Sequence, residues 1–327
     1  MMSIARTLVG GLMLLATSAV AEAAPLKLVL GLQESGTVQW EIAAMRDLGL
    51  DAAHGIELEI RPLADSRAGQ IALQAGAVDV ILSDFVWVSV QRSLGNDVTL
   101  VPHSLTVGGL MVPAGSEIAT VADLKGKTIG VAGGPVDKSW IVLQAFYAET
   151  TGGKLAEDAS ARFGAPPLVN ELLGTGGVDA GLNFWQWNAR AKAQGMGELI
   201  SVAEMLEGLG VDAPPPLLGW TFSEETAATK PEALAAFLDA SFATKAAMLS
   251  DDAVWEGLRE LMGTADDAAL FAQLRDDYRA GIVSGYDASQ VEAAEQAFQL
   301  MARFGGPDLV GDQQALAAGT FWEGYRK

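Results

Sequence analysis

Two short polar pairs carry the residue types that recognise small charged molecules. Ser83-Asp84 offers a hydroxyl and a carboxylate, the partners that a donor or a cation needs. Lys138-Ser139 follows Gly133-Gly134-Pro135 and opens a helical segment. An anion there meets an ammonium, main-chain amides and the positive end of a helix dipole. Indoles surround both pairs. Trp40, Trp87, Trp140, Trp185 and Trp187, five of the eight tryptophans, fall near strand-to-helix turns, and Trp220 could add a sixth. An indole offers area, stacking and cation–π contact. Asn183 supplies a two-sided amide, Ser35 lies in the first glycine turn, and Gly134 sits beside Lys138.

Each candidate has a plainer use. Ser and Asp are favoured helix N-caps, so Ser83 and Asp84 serve a ligand, a helix or both. Lys138 is equally a solvated surface lysine. Trp185 and Trp187, two apart on a helix, do not share a face, so only one is expected on a ligand.

Catalytic constellations are missing. The chain has no cysteine and two histidines, His54 and His103, far apart and not at metal-ligand spacing. Neither a Gly-x-Ser-x-Gly nor a His-Glu-x-x-His run occurs. Asp251-Asp252 and Asp276-Asp277 are neighbours on helical segments and point apart. No cofactor, metal site or catalytic residue is expected.

The elements that position these residues follow from periodicity. Leu26–Leu30, Ile56–Ile60, Val78–Leu82 and Val98–Pro102 are expected strands. Trp40–Leu50, Ser66–Ala75 and Asp84–Leu94 are expected helices between them. The pattern restarts with strands at Lys127–Val131, Val178–Leu182 and Leu199–Val202, and helices at Asp137–Thr150, Pro167–Leu173 and Phe184–Gln194. Alternation of this kind gives mostly parallel sheets. Gly176-Gly177-Val178-Asp179 echoes Gly76-Ala77-Val78-Asp79, as two similarly built halves would. Beyond Pro214-Pro215-Pro216, a stiff connector, only helices are expected from Pro231 onward, with a capping box at Ser289–Glu292. Ligands bind outside the carboxyl ends of strands. That rule selects the loops Gln33–Thr37, Ser83–Trp87, Ser104–Gly109, Gly134–Trp140 and Asn183–Trp187.

Charge and leader bound the setting. The net charge is −20, and no basic stripe offers a surface to nucleic acid or anionic lipid. Arg6, the apolar run Leu8–Ala16 and the small residues Ala19, Ala21 and Ala23 have the form of a cleaved secretory signal over residues 1–23. The mature chain is expected to lack a membrane insertion and to reside in the periplasm.

The run Val121–Gly134, VADLKGKTIGVAGG, joins a polar turn, a β-rich stretch and a glycine turn. Together with Gly31–Gly36, Ala75–Val80, Gly177–Ala180 and Lys230-Pro231-Glu232-Ala233, it resembles substrate-binding proteins of ABC importers, of the nitrate, sulfonate, taurine and thiamine-pyrimidine type. The resemblance covers about Leu26 to Leu249. It implies a two-lobed, type II-like periplasmic-binding-protein fold with C-terminal helices packed on the first lobe. The first lobe would comprise residues 25–107 and 218–327, and the second 108–217. It also implies capture of a small organic solute in an inter-lobe cleft and delivery to a permease by a monomer. An anion contact at Lys138 beside a cation contact at Asp84 suits a zwitterionic or heteroaromatic solute. The strand-end rule and the residue types, read beside the resemblance, give the candidate ligand residues Ser35, Trp40, Ser83, Asp84, Trp87, Gly134, Lys138, Ser139, Asn183, Trp185, Trp187 and Trp220. Where such proteins often carry aromatic-Asp-Pro-aromatic, this chain has Phe184-Trp185-Gln186-Trp187, which exchanges a charged contact for amides and indoles. Two other readings share the architecture. One is a sensory or accessory ligand-presenting protein. The other is an enzyme, although pyrimidine synthases that resemble this fold rely on histidine and a cysteine-rich segment.

Overall fold

The computed structural model describes residues 25–325, so the signal-like segment lies outside the described residues. The first stretch runs β1 (Leu26–Gln33), α1 (Val38–Asp47), α2 (Leu50–Ala53), β2 (Ile56–Leu63), α3 (Ser66–Gln74), β3 (Val80–Asp84), α4 (Phe85–Ser93) and β4 (Val98–Ser104). The second runs β5 (Gly109–Val112), β6 (Thr128–Ala132), α5 (Lys138–Thr151), α6 (Leu155–Asp158), β7 (Ser160–Gly164), α7 (Pro166–Gly174), β8 (Ala180–Asn183), α8 (Trp185–Ala193), β9 (Gly197–Ser201) and α9 (Val202–Gly208). The chain ends in β10 (Leu218–Ser223), α10 (Glu224–Thr229), α11 (Pro231–Ser250), α12 (Ala253–Glu256), α13 (Ala268–Ala280), α14 (Ala288–Gly305) and α15 (Pro307–Val310).

Two five-stranded sheets result, ordered β2-β1-β3-β10-β4 and β7-β6-β8-β5-β9. The βα units pair in parallel, β1 with β2 and β3, and β6 with β7 and β8. Each sheet also holds one antiparallel strand that arrives from the other half. β10 lies between β3 and β4, and β5 lies between β8 and β9. Both strands begin at or next to residues 108 and 218, where the division expected from the resemblance has the chain cross between lobes. β7 and α9 also go beyond the sequence expectation; β7 is a mostly exposed edge strand with no clear alternation.

The glycine–aspartate echo has a common physical use. Gly76 and Gly176 both have positive φ, at 66° and 72°. Three residues on, Asp79 accepts from the Val29 amide of β1 (2.7 Å), and Asp179 accepts from the Thr128 amide of β6 (2.7 Å). Each carboxylate thus docks a helix–strand junction onto its parallel neighbour. Lys230, at the start of α11, closes a 2.7 Å ion pair on Asp79 and ties the C-terminal helices to the first sheet.

α11 packs on β1, β2, α1 and α2, as expected for helices returning to the first sheet. α13 additionally packs on α8, and α14 on α5, so these helices also reach the second sheet's layer. The capping box of α14 is shifted from the expected position. Asp287 is the cap, accepting from the Ser289 amide at 2.8 Å, and Gln290 answers it. Among the described residues α11 is long and apolar enough to cross a bilayer, but it is a core helix, with Phe237, Leu238 and Met248 wholly buried.

The first sheet's layer encloses a polar cluster. Glu41, His103 and Lys245 are all at least 95% buried. His103 Nε2 lies 2.8 Å from Glu41 Oε2, Ser241 donates to Oε1, and Lys245 Nζ donates to the His103 carbonyl at 2.9 Å. Burial alone drives a carboxyl upward. The Lys245 ammonium, His103 and the hydrogen bonds outweigh it and hold Glu41 at about 2, down from 4.5. Burial, then Lys245, hold the His103 imidazole below its ordinary value.

We expect Glu41→Ala to cost about 3–5 kcal/mol in urea unfolding, because it strands a buried ammonium. A carboxyl with a depressed folded pKa stabilises the fold fully above its unfolded value. The native protein should therefore lose stability as pH falls from about 4.5 towards about 2, and Glu41→Gln should flatten that segment of the profile.

Candidate functional site

The carboxyl ends of both sheets' parallel strands face a common cavity of about 310 Å³. Gln33, Gly36, Thr37 and Val38 enter it from the β1–α1 turn, Ser66 from α3, and Ser83 and Asp84 from β3. Thr106, Val107 and Gly108 of the first crossing form one wall. Asp137, Lys138 and Ser139 open α5, Phe184, Trp185 and Gln186 open α8, and Leu217 and Leu218 lead into β10. The N-terminal ends of α1, α3, α4, α5 and α8 therefore converge on one space, each directing its positive pole inward.

Three of those ends carry their own carboxylate. Asp65 caps α3 through the Ala68 amide (2.8 Å) and Asp84 caps α4 through the Trp87 amide (2.8 Å). Asp137 caps α5, accepting from Ser139 (2.9 Å) and Trp140 (3.3 Å). The amides at the start of α5 are thus already engaged, which corrects the expected anion cradle at that helix. Burial pushes the Asp137 carboxyl up, against the nearby Lys138 ammonium and the amide bonds. α1 and α8 have no side-chain cap. The first amides of these two helices, at Thr37–Val38 and Trp185–Gln186, make no hydrogen bond among the described residues.

Across the cavity, Lys138 Nζ lies 3.2 Å from Asp84 Oδ2. Asp84 works twice, capping α4 with one oxygen and bridging to the other sheet's half with the second. Ser83, 3% exposed, accepts from Gln70 Nε2 at 3.3 Å. Apolar surface completes the lining, from Val38, Leu63, Ile81, Leu217, Phe184 and the Trp185 indole.

Of the twelve candidate residues, Ser83, Asp84, Lys138, Ser139 and Trp185 line this cavity. Ser35, Trp40 and Trp187 line a neighbouring one of about 130 Å³, which shares Gly36, Thr37 and Gln186 with the first. Trp185 and Trp187 diverge into the two cavities, as their spacing requires. Trp40 is 5% exposed and packs edge-on against Trp185, ring centres 5.9 Å apart. Four candidates are corrected by their surroundings. Trp220 is wholly buried, its Nε1–H given to Ser241 (2.9 Å) and its ring packed on His103 and Phe237. Asn183 is 1% exposed, and its amide is used by Pro166, Asn170 and the Phe184 amide. Trp87 packs against the core, contributing only its backbone amide to the Asp84 cap. Gly134 forms the turn, its carbonyl accepting from Asp137 (2.9 Å), and stands off the lining.

The structure adds Gln33, Thr37, Thr106, Asp137 and Gln186 to the lining. All five lie in the loops selected at strand ends. Asp137 also bore a local signal, an N-cap residue directly before a helix. Ser66 was not signalled, because the β2–α3 turn was outside that selection.

Because Asp84 both caps and bridges, its substitutions separate. Asp84→Ala should lower stability by about 0.5–2 kcal/mol through the lost cap, whereas Asp84→Asn keeps a capping oxygen and should stay close to wild type in thermal melts.

The fold is shared with solved binding proteins at low sequence identity. The alkanesulfonate-binding protein SsuA from Xanthomonas axonopodis pv. citri, solved bound to MOPS, superposes with a TM-score of 0.68 at 18% identity, covering 92% of this chain and 99% of that one. The periplasmic aliphatic sulphonate binding protein SsuA from Escherichia coli gives 0.69 at 18% identity, covering 89% and 98%. The desulfurization enzyme DSZB gives 0.58 at 15%, covering 90% and 97%. No curated protein sequence matches this chain significantly. The sequence profile described as NMT1/THI5 like matches residues 42–252, and the chain belongs to that family.

Proposed function

We propose that this protein captures a small organic solute between two lobes and delivers it to the permease of an ABC importer. The observation that carries this reading is the cavity onto which helix N-termini from both sheets converge, with Lys138 and Asp84 meeting across it. In the proposed division, residues 25–107 with 218–327 form one lobe and 108–217 the other, and both contribute to the lining. The solute's acidic group takes the amides that open α1 and α8 together with Lys138. A donor or cationic group takes Asp84 and Gln33. Trp185 and the aliphatic wall cover its apolar part. A short zwitterion, such as an aminosulfonate or amino acid, uses the whole set. The sulfonate-binding neighbours named above favour an acidic head group.

Binding without bond cleavage is favoured by what lines the cavity. It holds no histidine, and the chain has no cysteine. His103 is inside the first layer, and His54 gives Nδ1 to the Leu50 carbonyl at the end of α2. Lobe closure serves capture when the solute binds the closed arrangement better than the open one.

Calorimetric titration of the purified protein with alkanesulfonates, aminosulfonates, amino acids, nitrate and thiamine-type pyrimidines tests the reading. An acid-bearing member should bind, and Lys138→Met should weaken it at least about tenfold. Trp220→Phe, in the core, should leave the affinity unchanged. Binding confined to uncharged members would reject the acidic-head assignment. A second expectation concerns the leader. The protein recovered from periplasmic extract should begin directly after Ala21 or Ala23 by N-terminal sequencing.

A further inference from the structure

A guanidinium lines the cavity of about 130 Å³ beside the cleft. It belongs to Arg190, in the last turn of α8. Its Nη1 donates to the Gln186 carbonyl at 2.7 Å, and its Nη2 to the Met262 carbonyl at 3.3 Å. The guanidinium also lies 5.2 Å from the centre of the Trp187 ring. Gln186, Trp187 and Met262 all line the same cavity, so these contacts hold the cation at its wall. Two of a guanidinium's five N–H groups are thus spent on carbonyls, and neither acceptor carries a charge. Nε makes no hydrogen bond among the described residues and is not sealed from solvent.

The charge balance of the two spaces differs. Each has one cation in its lining. Lys138, in the cleft, is matched by Asp84 at 3.2 Å. Arg190 forms no ion pair among the described residues. Burial lowers the guanidinium from its ordinary value, and no carboxylate acts against that shift. Glu34 also lines the cavity, but it is exposed and does not pair with Arg190. A partly buried guanidinium fixed by neutral carbonyls and an indole is set to receive an anion, and its fork fits a carboxylate or sulfonate.

The cavity borders the cleft. Gly36, Thr37 and Gln186 line both, at the N-terminal ends of α1 and α8. Its volume is less than half the cleft's, about 130 against about 310 Å³, which suits one functional group rather than a second solute. An acid seated on the α1 and α8 amides therefore has Arg190 in the neighbouring space. Resting on the capture of an acid-bearing solute in the cleft, we propose that this cavity is a second subsite, in which Arg190 takes a further acidic group of the same solute. The class selected is then a small amino acid with two acidic groups, sulfonate or carboxylate, rather than one.

Calorimetric titration with two matched pairs, taurine against cysteate and β-alanine against aspartate, tests it. The members of each pair differ by one carboxylate. The diacid should bind at least about tenfold tighter than its partner. Arg190→Met should erase that ratio, and Arg190→Lys, which keeps the charge without the fork, should retain part of it. Lys154→Gln, which removes one exposed cation outside both linings, should leave the ratio as in the wild type. Equal affinities within the pairs would overturn the subsite and leave the cleft assignment standing. A ratio that survives Arg190→Met, both members weakening alike, would overturn it too, since Arg190 would then only support the fold. Failure of all four solutes to bind would overturn the cleft assignment and the subsite together.

Discussion

Five helices ending at one cavity impose an electrostatic constraint that shapes much of the surrounding chain. Each brings amides that the helix itself leaves unpaired and a partial positive charge to one shared space. Asp65, Asp84 and Asp137 neutralise three of them. α1 and α8 are left open, one from each sheet's layer. That arrangement requires parallel βα units whose strands all end at the same edge, and both sheets supply it. Lys138 adds one more positive charge to that space, and Asp84, 3.2 Å away, offsets it.

The two halves also meet along an apolar seam. Trp40 of α1, Ala189 of α8 and Tyr278 of α13 belong to one buried cluster with Trp255 and Phe271, and the partly buried Trp185 of α8 packs against it. Ala189 is wholly inaccessible to solvent there. Separating α8 from this cluster exposes aromatic area at about 25 cal/mol per Å². The C-terminal helices are thus more than a lid on the first sheet. By packing on α8 and α5 as well, they make the relative placement of the two layers a property of the chain's last third.

Much of the fold was legible because local patterns had local causes. Alternation in β2, the helix opening at Ser66 and the glycine turns before Asp79 and Asp179 are read within a few residues of where they act. The loops at the strand ends were legible for the same reason, and most of the lining falls within them. What sequence could not show was which polar groups the core would claim. Trp220 is an indole near a crossing until Ser241, on α11, takes its N–H. Asn183 has the position of a ligand contact, but the Pro166 carbonyl and Asn170 consume its amide. The partners that decide both cases come from other elements and carry no periodic signal. β5 and β10 were hidden differently, because a short antiparallel strand inside a connector has too few residues to establish a period.

The place of β10 has a bearing on how the chain comes together as it is made. Thr221 pairs with Ile81 on one side and Leu100 on the other, so within the first sheet β3 and β4 are bridged through it. Every strand of the second sheet is synthesised before that joint can form. Until then the first four strands present two unbridged edges, with loop-closure entropy still to be overcome. The amino-terminal half of the polypeptide is consequently the last to be finished as a sheet, although it is the first to emerge.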